Sequence, residues 1–128
     1  MARQVMARRL EDDLQRAVLA YIAAAIPYAI VFHVPNGGFR TKPEAARLKS
    51  LGVMPGVADL VLLAGRGRVF FLELKAPKGR TTEDQDQFGE AARALGCGWA
   101  VIRSIDDLIL AFKAWGVSRT SGEGDGEL

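Results

Sequence analysis

The chain has a single cysteine, Cys97, and a single histidine, His33. Neither an internal disulfide nor a Cys/His zinc site can be built from them, so zinc-dependent chemistry is set aside. No run of about 18 apolar residues occurs, and no membrane-spanning helix is expected. The opening Met1-Ala-Arg-Gln-Val-Met-Ala-Arg-Arg lacks the apolar stretch that follows the charged start of a secretory signal. These absences lead to the expectation of a soluble, intracellular, cytoplasmic protein. Neither Gly-x-x-x-x-Gly-Lys-Ser/Thr nor Gly-x-Gly-x-x-Gly is present, which leaves a nucleotide-binding role with little support. Internal repeats, coiled-coil heptads and low-complexity stretches are absent outside the C-terminal tail.

What is present suits one small catalytic domain. At 128 residues with 49% hydrophobic content, the chain can bury one core. A domain over residues 1–116 and a flexible Gly/acidic tail over 117–128 are expected. The formal net charge of +2 understates the folded part, because the tail carries Arg119 against Glu123, Asp125 and Glu127. Without the tail, 16 basic residues face 12 acidic ones. Arg3, Arg8, Arg9, Arg40, Lys42, Arg47, Lys49, Lys78 and Arg80 could neutralise phosphates. Any one of them is as readily an ordinary solvated side chain; as a group they favour a polyanion.

The most telling segment runs from Asp59 to Lys75, where two carboxylates and a lysine interrupt apolar, β-forming sequence. Residues 58–64 and 68–75 read as strands joined by Gly65-Arg66-Gly67, a three-residue hairpin loop in which Gly67 is free to take φ > 0. If Ala64 pairs with Arg68, then Leu63 faces Val69, Val61 faces Phe71 and Asp59 faces Glu73. Alternation adds Lys75 to the Glu73 face and turns Phe70, Leu72 and Leu74 to the other. A slip of one residue would undo the convergence.

Facing carboxylates repel unless a cation lies between them, and hard oxygen ligands at this spacing suit Mg²⁺ or Mn²⁺. Lys75 would then orient or activate a water, or neutralise charge developing on a phosphate oxygen. A surface strand bearing an Asp–Glu–Lys charge ladder accounts for the same residues.

Elsewhere, Leu10 to Ile26 reads as an amphipathic helix with Leu10, Leu14, Ala17, Val18, Tyr21, Ile22 and Ala25 on its apolar face. Glu11 falls inside that sector, Gln15 just beyond it, and Asp12 points away. Glu11 either serves the acidic site or occupies a frayed first turn where the helix dipole favours acids. Ala29 to Val34 is a short apolar strand expected to be buried. His33 is a general base or a hydrogen-bonded histidine at a strand end. Pro35-Asn36-Gly37-Gly38 forms a turn, and its backbone could also approach a phosphate. A short basic helix from about Pro43 to Leu51 is capped by Gly52. Thr82 to Gln85 forms a capping box for a helix through about Leu95. Gly98 to Ile102 is a strand, and Ser104 caps a last helix through about Trp115. Trp99 and Trp115 read as core or interface. The element order describes an α/β protein with a mixed sheet flanked by helices.

Several spaced segments together resemble a known family. Gly52-Val-Met-Pro-Gly-Val-Ala-Asp59, Glu73-Leu-Lys75, and Gly79-Arg80 followed by Gln85 resemble the core of the PD-(D/E)XK nucleases, specifically the VRR-NUC branch. The resemblance spans most of residues 10–115 and takes in Glu11, Gln15, His33 to Arg40 and Ala46 to Lys49. Ala58 stands where the family has a proline. The resemblance implies a restriction-endonuclease-like fold and a metal-dependent endonuclease cutting DNA. Asp59, Glu73, the Leu74 carbonyl and Glu11 would hold Mg²⁺ or Mn²⁺, Lys75 would serve the water, and Gln85 would stand at the rim. Asn36, Gly37, Arg40, Lys42, Arg47, Lys49, Lys78 and Arg80 are the expected DNA contacts. It also implies a homodimer acting on branched DNA or Holliday junctions, in a bacterial or phage setting. A DNA-binding module that keeps the fold without activity is the alternative.

Overall fold

A computed structural model describes residues 1–35 and 40–119. Four α-helices and four strands follow one another along it: α1 (Ala2–Ala25), β1 (Ile30–His33), α2 (Lys42–Ser50), β2 (Leu60–Leu63), β3 (Val69–Leu74), α3 (Glu83–Ala94), β4 (Gly98–Ile102) and α4 (Ile105–Trp115). The strands form one mixed sheet in the order β1-β2-β3-β4. The first three are mutually antiparallel and β4 runs parallel to β3, with α3 as the crossover. Among the described residues no helix is long and apolar enough to cross a membrane.

The hairpin register agrees with the sequence reading, with Leu63 opposite Val69 and Val61 opposite Phe71. Its loop holds two residues with positive φ, Arg66 at 66° and Gly67 at 69°. Only the glycine was foreseen. Alternation along β3 sends Phe70, Leu72 and Leu74 to one face, where they pack with Leu60, Leu62 and Ile102 against Val18, Ile22 and Ile26 of α1 and Leu108 and Phe112 of α4. On the opposite face Phe71 meets Phe88 of α3 edge-on, with ring centroids 4.9 Å apart. Trp99 lies beneath Gly89, where an added Cβ would come within 2.5 Å of the indole. Trp115 stacks on Phe70 at 4.6 Å. Both tryptophans are thus packing residues.

Three expectations need correction. Helix α1 starts at Ala2 rather than Leu10. The added residues, Ala-Arg-Gln-Val-Met-Ala-Arg-Arg, are mostly good helix formers, and they extend the helix although most are exposed. Within the expected apolar face, Leu10 and Ala17 are exposed, because the body of the protein lies under Val18 and Ile22 instead. Strand β1 is not buried. It is an edge strand with Ile30 60% and Phe32 46% exposed, since α3 covers β3 and β4 but not this end of the sheet.

Val117 is buried, its amide bonded to the Phe112 carbonyl, and the Ser118 carbonyl accepts from Tyr28 Oη. Residues 120–128 of the expected tail lie outside the described residues, as do Asn36 and Gly37.

Candidate active site

The end of the hairpin away from its loop carries the acids. Asp59 directly precedes β2 and is tied on both sides. Its carbonyl accepts from Val34 N at 2.8 Å and from His33 Nδ1 at 2.9 Å, and its Oδ2 accepts from Leu74 N at 2.7 Å. The last of these bonds crosses the hairpin and sets the Asp59 carboxylate beside the Glu73 to Lys75 segment. His33 therefore has the strand-end hydrogen bond that was one of its two readings.

Glu73 sits in β3 with strands on both sides, and it is only 2% exposed. Its Oε2 is 3.8 Å from Lys75 Nζ, while Oε1 is buried without a hydrogen-bond partner. Desolvation is the largest influence on this acid, followed by the charge of Asp59 and a hydrogen bond with it. Together with a smaller effect of Glu11 they outweigh the opposing pull of Lys75 and raise the Glu73 pKa to about 8. Near neutral pH Glu73 therefore keeps a proton unless a cation takes its place. The exposed charge-ladder reading fails here, because Glu73 is buried and Asp59 and Lys75 are half-buried.

Glu11 lies well inside α1 rather than in a frayed first turn, and its Oε2 accepts from Ala76 N at 3.3 Å. The helix thus bridges to the residue just after Lys75. On the opposite wall, α3 opens with the expected capping box: Gln85 N donates to Thr82 Oγ1 at 3.2 Å and Thr82 N to Gln85 Oε1 at 2.9 Å. Asp59, Glu73, Lys75, Glu11 and Gln85 all line one cleft of about 280 Å³. Gly56 borders it too. With φ +80°, a Cβ there would sit 2.3 Å from the Asp84 carbonyl oxygen, so this loop lies directly against the start of α3. The run Met-Pro-Gly before Asp59 was legible as motif but not as a steric seat for α3.

Among the described residues no three His, Cys, Asp or Glu side chains stand together as a ready-made metal cage. The acids form a close pair, Asp59 and Glu73, with Glu11 on the facing helix. A divalent ion still fits the donor set. The unpartnered Glu73 Oε1 is a buried oxygen that needs a cation or a proton, and oxygen donors suit Mg²⁺ or Mn²⁺.

A second cleft of about 370 Å³ shares Glu11 and Asp59 and is otherwise lined by Arg8, Asp12, Gln15, His33, Pro35 and Leu74. Asp12 points away from the apolar face as expected, being exposed, and it also lines this cleft. Residues 8, 11, 12 and 15 follow the i, i+3, i+4, i+7 pattern of one helix stripe, a signal that could have found the group. The other expected basic contacts lie apart from the acids. Arg40 and Lys49 border a separate cleft by Met54 and Pro55, Lys78 borders one with Arg3, and Lys42, Arg47 and Arg80 are exposed.

No family profile matches the chain, and no curated protein does. Among solved structures, one described as "VRR_NUC domain protein" superposes with a TM-score of 0.65 at 24% identity, over 83% of this chain and 87% of that one. The chain therefore has the restriction-endonuclease-like fold of that protein.

Proposed function

We propose that this chain is a VRR-NUC-type, divalent-metal-dependent endonuclease that hydrolyses DNA phosphodiester bonds. The observation that carries the reading is the buried Glu73 carboxyl, unpartnered at Oε1 and paired with Asp59 beside Lys75. Asp59, Glu73, the Leu74 carbonyl and Glu11 would hold Mg²⁺ or Mn²⁺. Such an ion supplies Lewis-acid polarisation of a phosphoryl oxygen and lowers the pKa of a bound water. The protein's own groups do the rest. Lys75, its side chain 12% exposed at the cleft wall, orients the attacking water and offsets charge developing on phosphorus oxygens. Gln85 holds the rim of the cleft. Its amide oxygen is committed to the cap, which leaves the amide nitrogen for a phosphate. Arg40, Lys42, Arg47, Lys49, Lys78 and Arg80, with Asn36 and Gly37, would hold flanking DNA.

In this proposal the enzyme is a homodimer acting on branched DNA such as four-way junctions. Ile30, Phe32 and Leu63 form an uncovered apolar face, and the outer edge of β1 has no strand partner among the described residues. A second copy would cover both. Linear, supercoiled, flap and four-way-junction DNA incubated with Mg²⁺ or Mn²⁺ tests the reading. Wild type is expected to cut, junctions best, and Glu73→Ala and Lys75→Ala to fail. Binding without cutting under either metal would overturn it in favour of an inactive DNA-binding module.

A further inference from the structure

The two clefts that share Asp59 and Glu11 draw the rest of their lining from opposite faces of the sheet. His33 pairs with Leu60 and Leu60 with Leu72, so these three belong to the face covered by α1 and α4. Phe71 and, by alternation, Glu73 and Lys75 belong to the α3 face. The acids at the sheet's end therefore stand between a compartment holding Lys75 and a compartment holding Arg8, Gln15 and His33. Displacement at phosphorus proceeds in line, with nucleophile and leaving group on opposite sides of the phosphorus. A phosphate seated over Asp59 with its water on the Lys75 side must expel its leaving group into the other cleft.

Resting on the nuclease reading, we infer that the Arg8–Gln15–His33 cleft receives the departing half of the phosphodiester, and that Arg8 and Gln15 donate hydrogen bonds to the oxygen that leaves. The bond from water oxygen to phosphorus forms as the bond from phosphorus to the nucleoside oxygen breaks, and the electron pair stays on that oxygen. A proton of the attacking water passes to solvent on the Lys75 side, and the departing oxygen takes one from water in the open cleft. Among the described residues Arg8 is the one Lys or Arg lining that cleft, beside the carboxylates of Glu11, Asp12 and Asp59, so it offsets the charge that builds before protonation. His33, anchored through Nδ1 to the Asp59 carbonyl, fixes the wall opposite α1.

The test uses the full chain with Mn²⁺ and a DNA substrate whose cut site is mapped on wild type, prepared with oxygen or with sulfur as the bridging atom that leaves. Sulfur departs as a stable thiolate and needs little help. Arg8→Ala is expected to lose about 100-fold in kcat on the oxygen substrate, and Gln15→Ala less. Both recover most of that loss on the sulfur substrate, whereas Lys75→Ala loses on both. Fluorescence anisotropy of the product strand carrying the leaving end, read in Ca²⁺, weakens for Arg8→Ala and Gln15→Ala. Equal losses on the two substrates, a loss confined to KM, or unchanged product binding would overturn the assignment. A wild type that cuts neither substrate overturns the nuclease reading itself, a result distinct from these.

Discussion

Strands β1 and β3 are written in nearly the same alphabet and meet opposite fates. Ile-Val-Phe-His forms the sheet edge with two large apolar side chains in solvent, while Val-Phe-Phe-Leu-Glu-Leu runs through the interior and buries a carboxyl. A sheet satisfied only by hydrophobic burial would do the reverse. Interior position, not composition, sets the protonation of Glu73, because desolvation, with the charge of Asp59, raises its pKa to about 8. The edge position of β1 leaves its apolar face open, and its far end fixes Asp59 through Val34 and His33.

Several experiments would break or sharpen that contrast. The largest effect is expected from truncation at equivalent depth in the two strands. Leu72→Ala, inside the core, should cost about 2–5 kcal/mol in urea denaturation, whereas Phe32→Ala should cost less than about 1 kcal/mol in the monomer. Similar costs at both sites would mean that β1 is covered in solution, and sedimentation of Phe32→Glu would then show whether a second copy covers it.

Next comes the proton on Glu73. Its folded pKa of about 8 stands above its ordinary 4.5, so its contribution to stability is complete below pH 4.5 and is lost as pH climbs through 8. The metal-free protein should therefore lose Tm progressively between those values, an effect on the order of a few kcal/mol. Glu73→Gln should remove that slope. Mn²⁺ should raise Tm more at pH 8 than at pH 6 in wild type and not at all in the variant. A flat profile in wild type would contradict the burial argument.

Gly56→Ala is smaller, about 1–3 kcal/mol, since both its φ and its contact with the Asp84 carbonyl exclude a side chain. Cleavage should fall more than stability, because the start of α3 carries Gln85. The smallest effect is at His33. Asn can place an amide near the Nδ1 position and keep the bond to the Asp59 carbonyl, whereas Gln and Ala lose it, at a cost of about 1 kcal/mol. Equal thermal stability of the Asn and Ala variants would show that this bond does not hold Asp59.

Much of this was legible in the sequence where the signal is short-range. The loop Gly65 to Gly67 admits few geometries, so it set the register that brings Asp59 to the Glu73 end of β3. The Thr82–Gln85 and Ser104–Asp107 caps announced two helix starts. Helix α1 was harder to bound. Without a side-chain cap its start depended on weak propensities, and Met1 makes no side-chain hydrogen bond there. The exposure of β1 was not legible either. A four-residue apolar run reads the same at an edge as at the centre. Arg8, Asp12 and Gln15 shared a helical stripe with Glu11, but nothing local said that the stripe lines a cleft with His33 and Asp59.

The order of residues settled which side chains alternate together and where helices begin, because turns, caps and pleat act over a few neighbours. Which acid would be dry, which strand would lie at the rim, and that two clefts would meet at Asp59 depended on how distant segments packed. Desolvation and cavity shape belong to surfaces that exist only once α1, α3 and the sheet have come together.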